Sequence, residues 1–136
     1  MTAGMSLLGM ARKAGAVVIG EEPVTEAVLS HKVRLVLVAS DAGETTADRI
    51  SRLESEKLPV IPLNEEKQEL GAAVGFAKVA VVGICDLGFA AAIAAKLGEE
   101  NPRAKIVSEG LAQRQKKAQR RKADTAKFGK KSKRRK

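Results

Sequence analysis

Two stretches limit what this chain can fold into more than any others. Leu35-Val36-Leu37-Val38-Ala39 and Val79-Ala80-Val81-Val82-Gly83-Ile84 are wholly apolar, strand-length and rich in β-branched residues. A strand with one wet face alternates polar and apolar residues, so an unbroken apolar run predicts a strand covered on both faces. Such cover comes from helices on both sides of a sheet. The segments around the two runs carry helical patterns. In residues 2–14, Met5, Leu8 and Ala11 make one stripe and Leu7, Met10 and Ala14 a second. Arg12 and Lys13 suit the last turn of that helix, and Gly15 ends it. Val17–Ile19 reads as a short strand. Gly20 then turns the chain, Pro23 fits a first helical turn, and Val24, Ala27 and Val28 share a face of a helix running to about His31.

Further along, Asp41 with Glu44 three residues on predicts a capping box for a helix that carries Ile50 and Leu53. Leu58–Pro62 reads as a short strand whose two prolines place it at a sheet edge. Asn64 is expected to cap a helix from Glu65 to Val74. Asp86 is expected to cap another, with Phe89, Ala92, Ile93 and Leu97 on one face and Gly98 as its stop. The order α-β-α-β-α-β-α-β-α predicts an α/β fold. It is a three-layer α-β-α sandwich with a central mixed, mostly parallel four-stranded sheet, followed by a basic C-terminal tail.

Charge divides the chain. Residues 1–102 hold ten Lys and Arg against fourteen acids, whereas residues 103–136 hold fifteen against two. This predicts a folded domain over 1–100 and a basic, largely disordered tail over 101–136. Within the tail, residues 108–123 are expected to form a basic helix when bound. Arg114, Lys116, Lys117, Arg120, Arg121 and Lys122 open a dense positive run that ends at Lys136. A run of one sign either solubilises a protein or meets a polyanion, of which nucleic acid and anionic membrane are the candidates. The tail lacks the apolar face that an interfacial helix needs, which argues against membrane.

Catalytic and metal templates fail. Gly83 and Gly88 have the glycine spacing of a phosphate loop, but Phe89-Ala90 stands where lysine and a hydroxyl residue are required. His31 is the only histidine and has no nucleophile near it in sequence. Cys85, the only cysteine, excludes an internal disulfide and a paired-cysteine metal site, and reads as a buried thiol in a reducing compartment. No cofactor and no metal are expected. With three phenylalanines and no Trp or Tyr, a platform of several stacking rings is excluded. No signal-peptide pattern or membrane-length apolar run is present, which predicts a cytoplasmic protein.

The order of elements and several motifs resemble the ribosomal protein L7Ae/L30e superfamily of kink-turn RNA binders, in its bacterial YlxQ-like branch. The likeness rests on Leu8-Gly9-Met10-Ala11-Arg12-Lys13-Ala14-Gly15, on Gly20-Glu21-Glu22 with Ala27-Val28, and on Leu35 to Ala42. Pro59-Val60, Leu70-Gly71 with Gly75, and Gly83 to Ala90 complete it, over roughly residues 3–98. The resemblance implies two RNA-facing places. One is the turn into the second helix, here Gly20 to Glu26, which enters a widened groove at sheared G·A pairs. The other is the loop before the last strand, here Gly75 to Lys78, which touches an extruded nucleotide. The family's kink-turn readers carry Gly-x-Asn-Glu followed by lysine. This chain has Glu22 for the asparagine, Pro23 for the glutamate and Glu26 for the lysine.

The resemblance thus implies a non-catalytic RNA-binding protein, ribosomal or ribosome-associated, that reads kinked or internally looped RNA. Its body residues are Arg12, Lys13, Gly20, Glu21, Glu22, Thr25, Phe76, Ala77 and Lys78, and the tail cations add phosphate contacts. Glu21 and Glu22 either accept hydrogen bonds from base edges or are first-turn acids favoured by the helix dipole. Structured RNA, ribosomal RNA first, is the expected partner of a monomeric chain, with ribosomal proteins or an RNA-modifying enzyme as further partners. Two alternatives stay open: a substrate-binding module for a separate RNA-modifying enzyme, and a nucleoid protein that binds through its tail alone.

Overall fold

A computed structural model describes residues 3–135, with side chains described as far as Arg121. Ten elements follow one another: α1 (Ala3–Lys13), β1 (Val17–Ile19), α2 (Glu21–Leu29), β2 (Leu35–Val38), α3 (Glu44–Ser51), β3 (Val60–Pro62), α4 (Lys67–Val74), β4 (Val81–Ile84), α5 (Leu87–Leu97) and α6 (Pro102–Arg135). The strands form one sheet in the order β1-β4-β2-β3. Both apolar runs are central strands, and all four residues of each are buried. Proline-flanked β3 is an edge strand, as its composition predicts.

Alternation along the strands divides the interior into two layers. Leu35, Leu37, Ile61, Val82 and Ile84 pack with residues of α1, α4, α5 and the first turns of α6. Val36, Val38, Val60 and Val81 point the other way, onto Val24 of α2 and Ile50 of α3. The expected α-β-α sandwich and mixed four-stranded sheet are thus present. The expectation that the sheet is mostly parallel is corrected. Only β2 with β3 is parallel, while β4 runs antiparallel to both β1 and β2. The cause is plain: an apolar run reports cover on both faces, and helices give that cover whichever way the neighbouring strands run.

Two caps also differ. Asp41 does not open α3, whose N-cap is Gly43 at φ 90°. Its Oδ1 instead accepts from the Lys67 backbone N–H at 2.7 Å, at the start of α4. The α4 N-cap is Glu66 rather than Asn64, and its backbone N–H donates to Glu69 Oε1 at 3.4 Å. Asp86 caps α5 as expected, accepting from the Phe89 N–H at 2.8 Å.

The C-terminal segment departs most from its sequence reading. Instead of a largely disordered tail, the chain from Pro102 to Arg135 is one helix, and Ala104, Val107 and Leu111 are buried in the larger core. Asn101 starts it. Its Oδ1 accepts from the N–H groups of Arg103 and Ala104 at 3.1 and 3.2 Å, and its Nδ2 donates to the Pro62 carbonyl at 3.0 Å. One buried side chain thus caps α6 and ties it to edge strand β3. Arg103 also pairs with Glu54. No helix among the described residues is long and apolar enough to cross a membrane.

Candidate nucleic-acid interface

The antiparallel register of β1 and β4 sets the geometry of the site. Ile19 pairs with Val82, so the chain leaves β1 beside the point where it enters β4. The Gly20 N–H donates to the Val81 carbonyl at 3.0 Å. Gly20 has φ 102° and ψ 154°, a conformation in which a side chain is strained. From there α2 begins, with Glu21, Glu22 and Pro23 in its first turn.

Four candidate residues or their neighbours define a concave patch at this turn. Glu21, Glu22, Thr25 and Glu26 line one side, and Arg49 of α3 and its C-cap Arg52 the other. Glu21 is engaged. Arg49 Nε lies 2.7 Å from its Oε2, and Arg49 Nη2 donates to its Oε1 at 3.1 Å, a two-point grip. This pairing holds the Glu21 carboxyl below its ordinary range, against the opposing effect of desolvation and with help from the Thr46 side chain. The Thr25 hydroxyl donates to the Glu21 carbonyl at 2.8 Å. Of the two first-turn acids, Glu21 is therefore committed to α3, whereas Glu22 is exposed.

The second candidate segment, Phe76-Ala77-Lys78, lies on the surface and follows Gly75, the left-handed C-cap of α4 at φ 82°. Close approach fixes its path. A Cβ on Gly71 would stand 2.8 Å from the Phe76 carbonyl and 2.9 Å from the Lys78 nitrogen. The Val79 N–H closes the loop by donating to the Lys67 carbonyl at 3.0 Å. Arg12, in the last turn of α1, lays its guanidinium 5.1 Å from the Phe76 ring centroid. Lys13 is exposed at the same helix end. Gly20 is thus bonded to Val81, at the start of the strand that follows the 75–78 loop, and Arg12 is joined to that loop through Phe76.

The tail candidates divide. Arg114, Lys117 and Arg121 line a groove with Arg34 and Lys57 of the body. Lys116 and Arg120 are exposed and do not line it. The Lys122 side chain lies outside the described residues. Sequence reasoning missed Arg34, Arg49, Arg52 and Lys57. Arg49, Arg52 and Lys57 stand among acids in a polar stretch and Arg34 at the start of an apolar run, and nothing local distinguishes them from solvated charges.

Cys85 is half-buried rather than buried, and burial pushes its thiol up against the opposing pull of Lys32 and Arg34. It is protonated at neutral pH and so a weak nucleophile. Among the described residues, no group of three or more His, Cys, Asp or Glu is arranged to hold a metal ion.

Known proteins show the same framework. The family model of the ribosomal protein L7Ae/L30e/S12e/Gadd45 family matches residues 2–94. The chain is 34% identical over 85 residues to the RNA-binding protein YlxQ of Bacillus subtilis, covering 84% of it and 62% of this chain. It is also 34% identical over 87 residues to the YlxQ protein of Enterococcus faecium, covering 82% of that protein and 63% of this chain. A Bacillus halodurans protein of unknown function superposes with a TM-score of 0.64 at 33% identity, covering 99% of that chain and 72% of this one. A 15.5 kD RNA binding protein of Giardia lamblia shares the fold at 19% identity, with a TM-score of 0.58 over 82% of its length and 70% of this chain. With motifs, strand order and family match in agreement, the chain belongs to the L7Ae/L30e/S12e/Gadd45 family, on its YlxQ-like branch.

Proposed function

We propose that this chain is a non-catalytic RNA-binding protein of the ribosome or its assembly, and that it reads kinked or internally looped ribosomal RNA with the sheet end around Gly20. The observation that carries this reading is the β1–β4 register. It holds Gly20 beside Val81 at the start of β4, the end of the strand that the 75–78 loop leads into, and these are the two segments that the family resemblance assigns to RNA. The relatives' designation as RNA-binding proteins supports the ligand class.

In this proposal Gly20 lets the backbone approach a widened groove, and Glu22 accepts from base amino groups. Phe76 offers its exposed ring to an extruded nucleotide, on the face that Arg12 leaves free. With Arg49 held by Glu21, Arg52 is the cation left in this patch to meet phosphate in place of the lysine that position 26 lacks. It reaches the patch from the C-terminal end of α3 rather than from α2. The cations of α6 add phosphate contacts that position the RNA without reading sequence.

The test is a titration of the full-length chain at near-physiological salt. One RNA carries a kink-turn, and in the other the G·A pairs are made Watson–Crick. Tighter binding to the kinked RNA is expected, and Glu22→Asn combined with Glu26→Lys is expected to widen the preference. Equal affinity for the two RNAs refutes recognition by the Gly20 end.

A further inference from the structure

The docking of α6 creates a surface that neither the body nor the basic segment has alone. Arg34 precedes β2, and its backbone N–H donates to the Ile84 carbonyl at 2.7 Å, at the far end of β4 from Gly20. Lys57 sits in the turn that leads into β3, between the bridged residues Ser55 and Leu58. Arg114 Nη1 donates to the Lys57 carbonyl at 2.8 Å and so clamps that turn against the helix. Lys117 and Arg121 follow Arg114 at i+3 and i+7, on the same stripe of α6. The five cations line an open hollow of about 370 Å³ together with Leu87 and Ala118, with no acidic residue in its wall.

We propose that Arg34, Lys57, Arg114, Lys117 and Arg121 form a second RNA-backbone site that takes successive phosphates of an RNA helix. The inference rests on the reading that the chain binds RNA. It adds a site at the opposite end of the sheet, separated from Gly20 by the length of β4, about 10 Å of strand. Long cationic side chains on an open wall suit a solvated polyanion rather than a small anion held in a cradle. A path joins the two ends. Arg52 borders both the Gly20 patch and an intermediate groove, and Arg34 and Lys57 border both that groove and the basic hollow. One RNA can therefore engage both ends along a line of cations. Because the charge is fixed in place by packing, its position should matter and not only its sum.

The experiment compares two double variants of the full-length chain that remove the same charge. R34Q/K57Q strips the body side of the hollow. K116Q/R120Q strips exposed α6 cations outside it. Circular dichroism melts verify folding, and fluorescence anisotropy measures binding to a plain RNA duplex and to a kink-turn RNA across a salt series. For R34Q/K57Q, the slope of log K against log salt is expected to fall by about 2 on both RNAs. K116Q/R120Q is expected to lose less than half as much. A wild-type slope in R34Q/K57Q, or equal losses in the two variants, overturns the site. The ratio between kinked and plain RNA reports separately on the Gly20 end. Its absence in the wild type would sink that reading while leaving the slope comparison decisive for the hollow.

Discussion

Replacing Leu111 with alanine should destabilise the whole domain, whereas the same change at Ile106, five residues earlier in the same helix, should not. Leu111 is 1% exposed and packs in the larger core, while Ile106 is 67% exposed. Truncating a buried leucine loses its transfer free energy and leaves a partly unrelaxed cavity, together about 3 kcal/mol. Ile106→Ala removes little buried surface and improves helix propensity, so its effect should stay within about 0.5 kcal/mol. With an unfolding entropy of roughly 2.1 cal/mol/K per residue over about 110 cooperative residues, 3 kcal/mol corresponds to a Tm lower by about 13 °C. Thermal melts and urea titrations followed by circular dichroism measure both variants. Equal, small shifts would mean that α6 is not part of the folding unit. The two-layer core described above would then be wrong on its α6 side, and the basic hollow would lose its scaffold. The same packing makes a truncation at Asn101 a poor way to remove the basic segment, since it also removes Ala104, Val107 and Leu111 from the core.

Two further outcomes follow from local geometry. Gly71→Ala places a methyl group against the backbone of Phe76 and Lys78, which must move. It should cost about 1–3 kcal/mol of stability and weaken binding to a kink-turn RNA, and unchanged melting would show that the loop yields freely. The Glu21 carboxyl, held down chiefly by Arg49, should titrate below its ordinary 4.5. Its contribution to stability is then complete above that value and lost as pH falls through the lowered midpoint. Arg49→Gln should return the midpoint, read by NMR of the carboxyl carbon, towards 4.5, and an unshifted midpoint in the wild type would refute the pairing.

Much of the framework was legible because it rests on local pattern. The runs at 35–39 and 79–84 could only be covered strands, the prolines around Val60 marked an edge, and Asp86 followed by Leu87-Gly88-Phe89 read correctly as a cap. Caps failed where the acid reached across the fold. Asp41 sits three residues before Glu44, yet its carboxylate serves α4, twenty-six residues on. The end of the chain was misread for a different reason. Asn101-Pro102 followed by Ala104, Val107 and Leu111 is a helix start with an apolar stripe, but that stripe is narrow and the surrounding charge masked it.

For this protein, then, the sequence by itself determined which segments up to Leu97 are strands and helices, the α/β class, the family and the place of the Gly20 turn. Those depend on periodicity, on turn chemistry and on motifs read along the chain. Only the tertiary structure decided strand direction, the partner of Asp41, the capture of Glu21 by Arg49, and the meeting of Arg34 and Lys57 with α6. Each of these joins residues far apart in sequence. A charged side chain looks the same from its neighbours in the chain whether it faces water or the wall of a groove, and only packing brings its distant partners within reach.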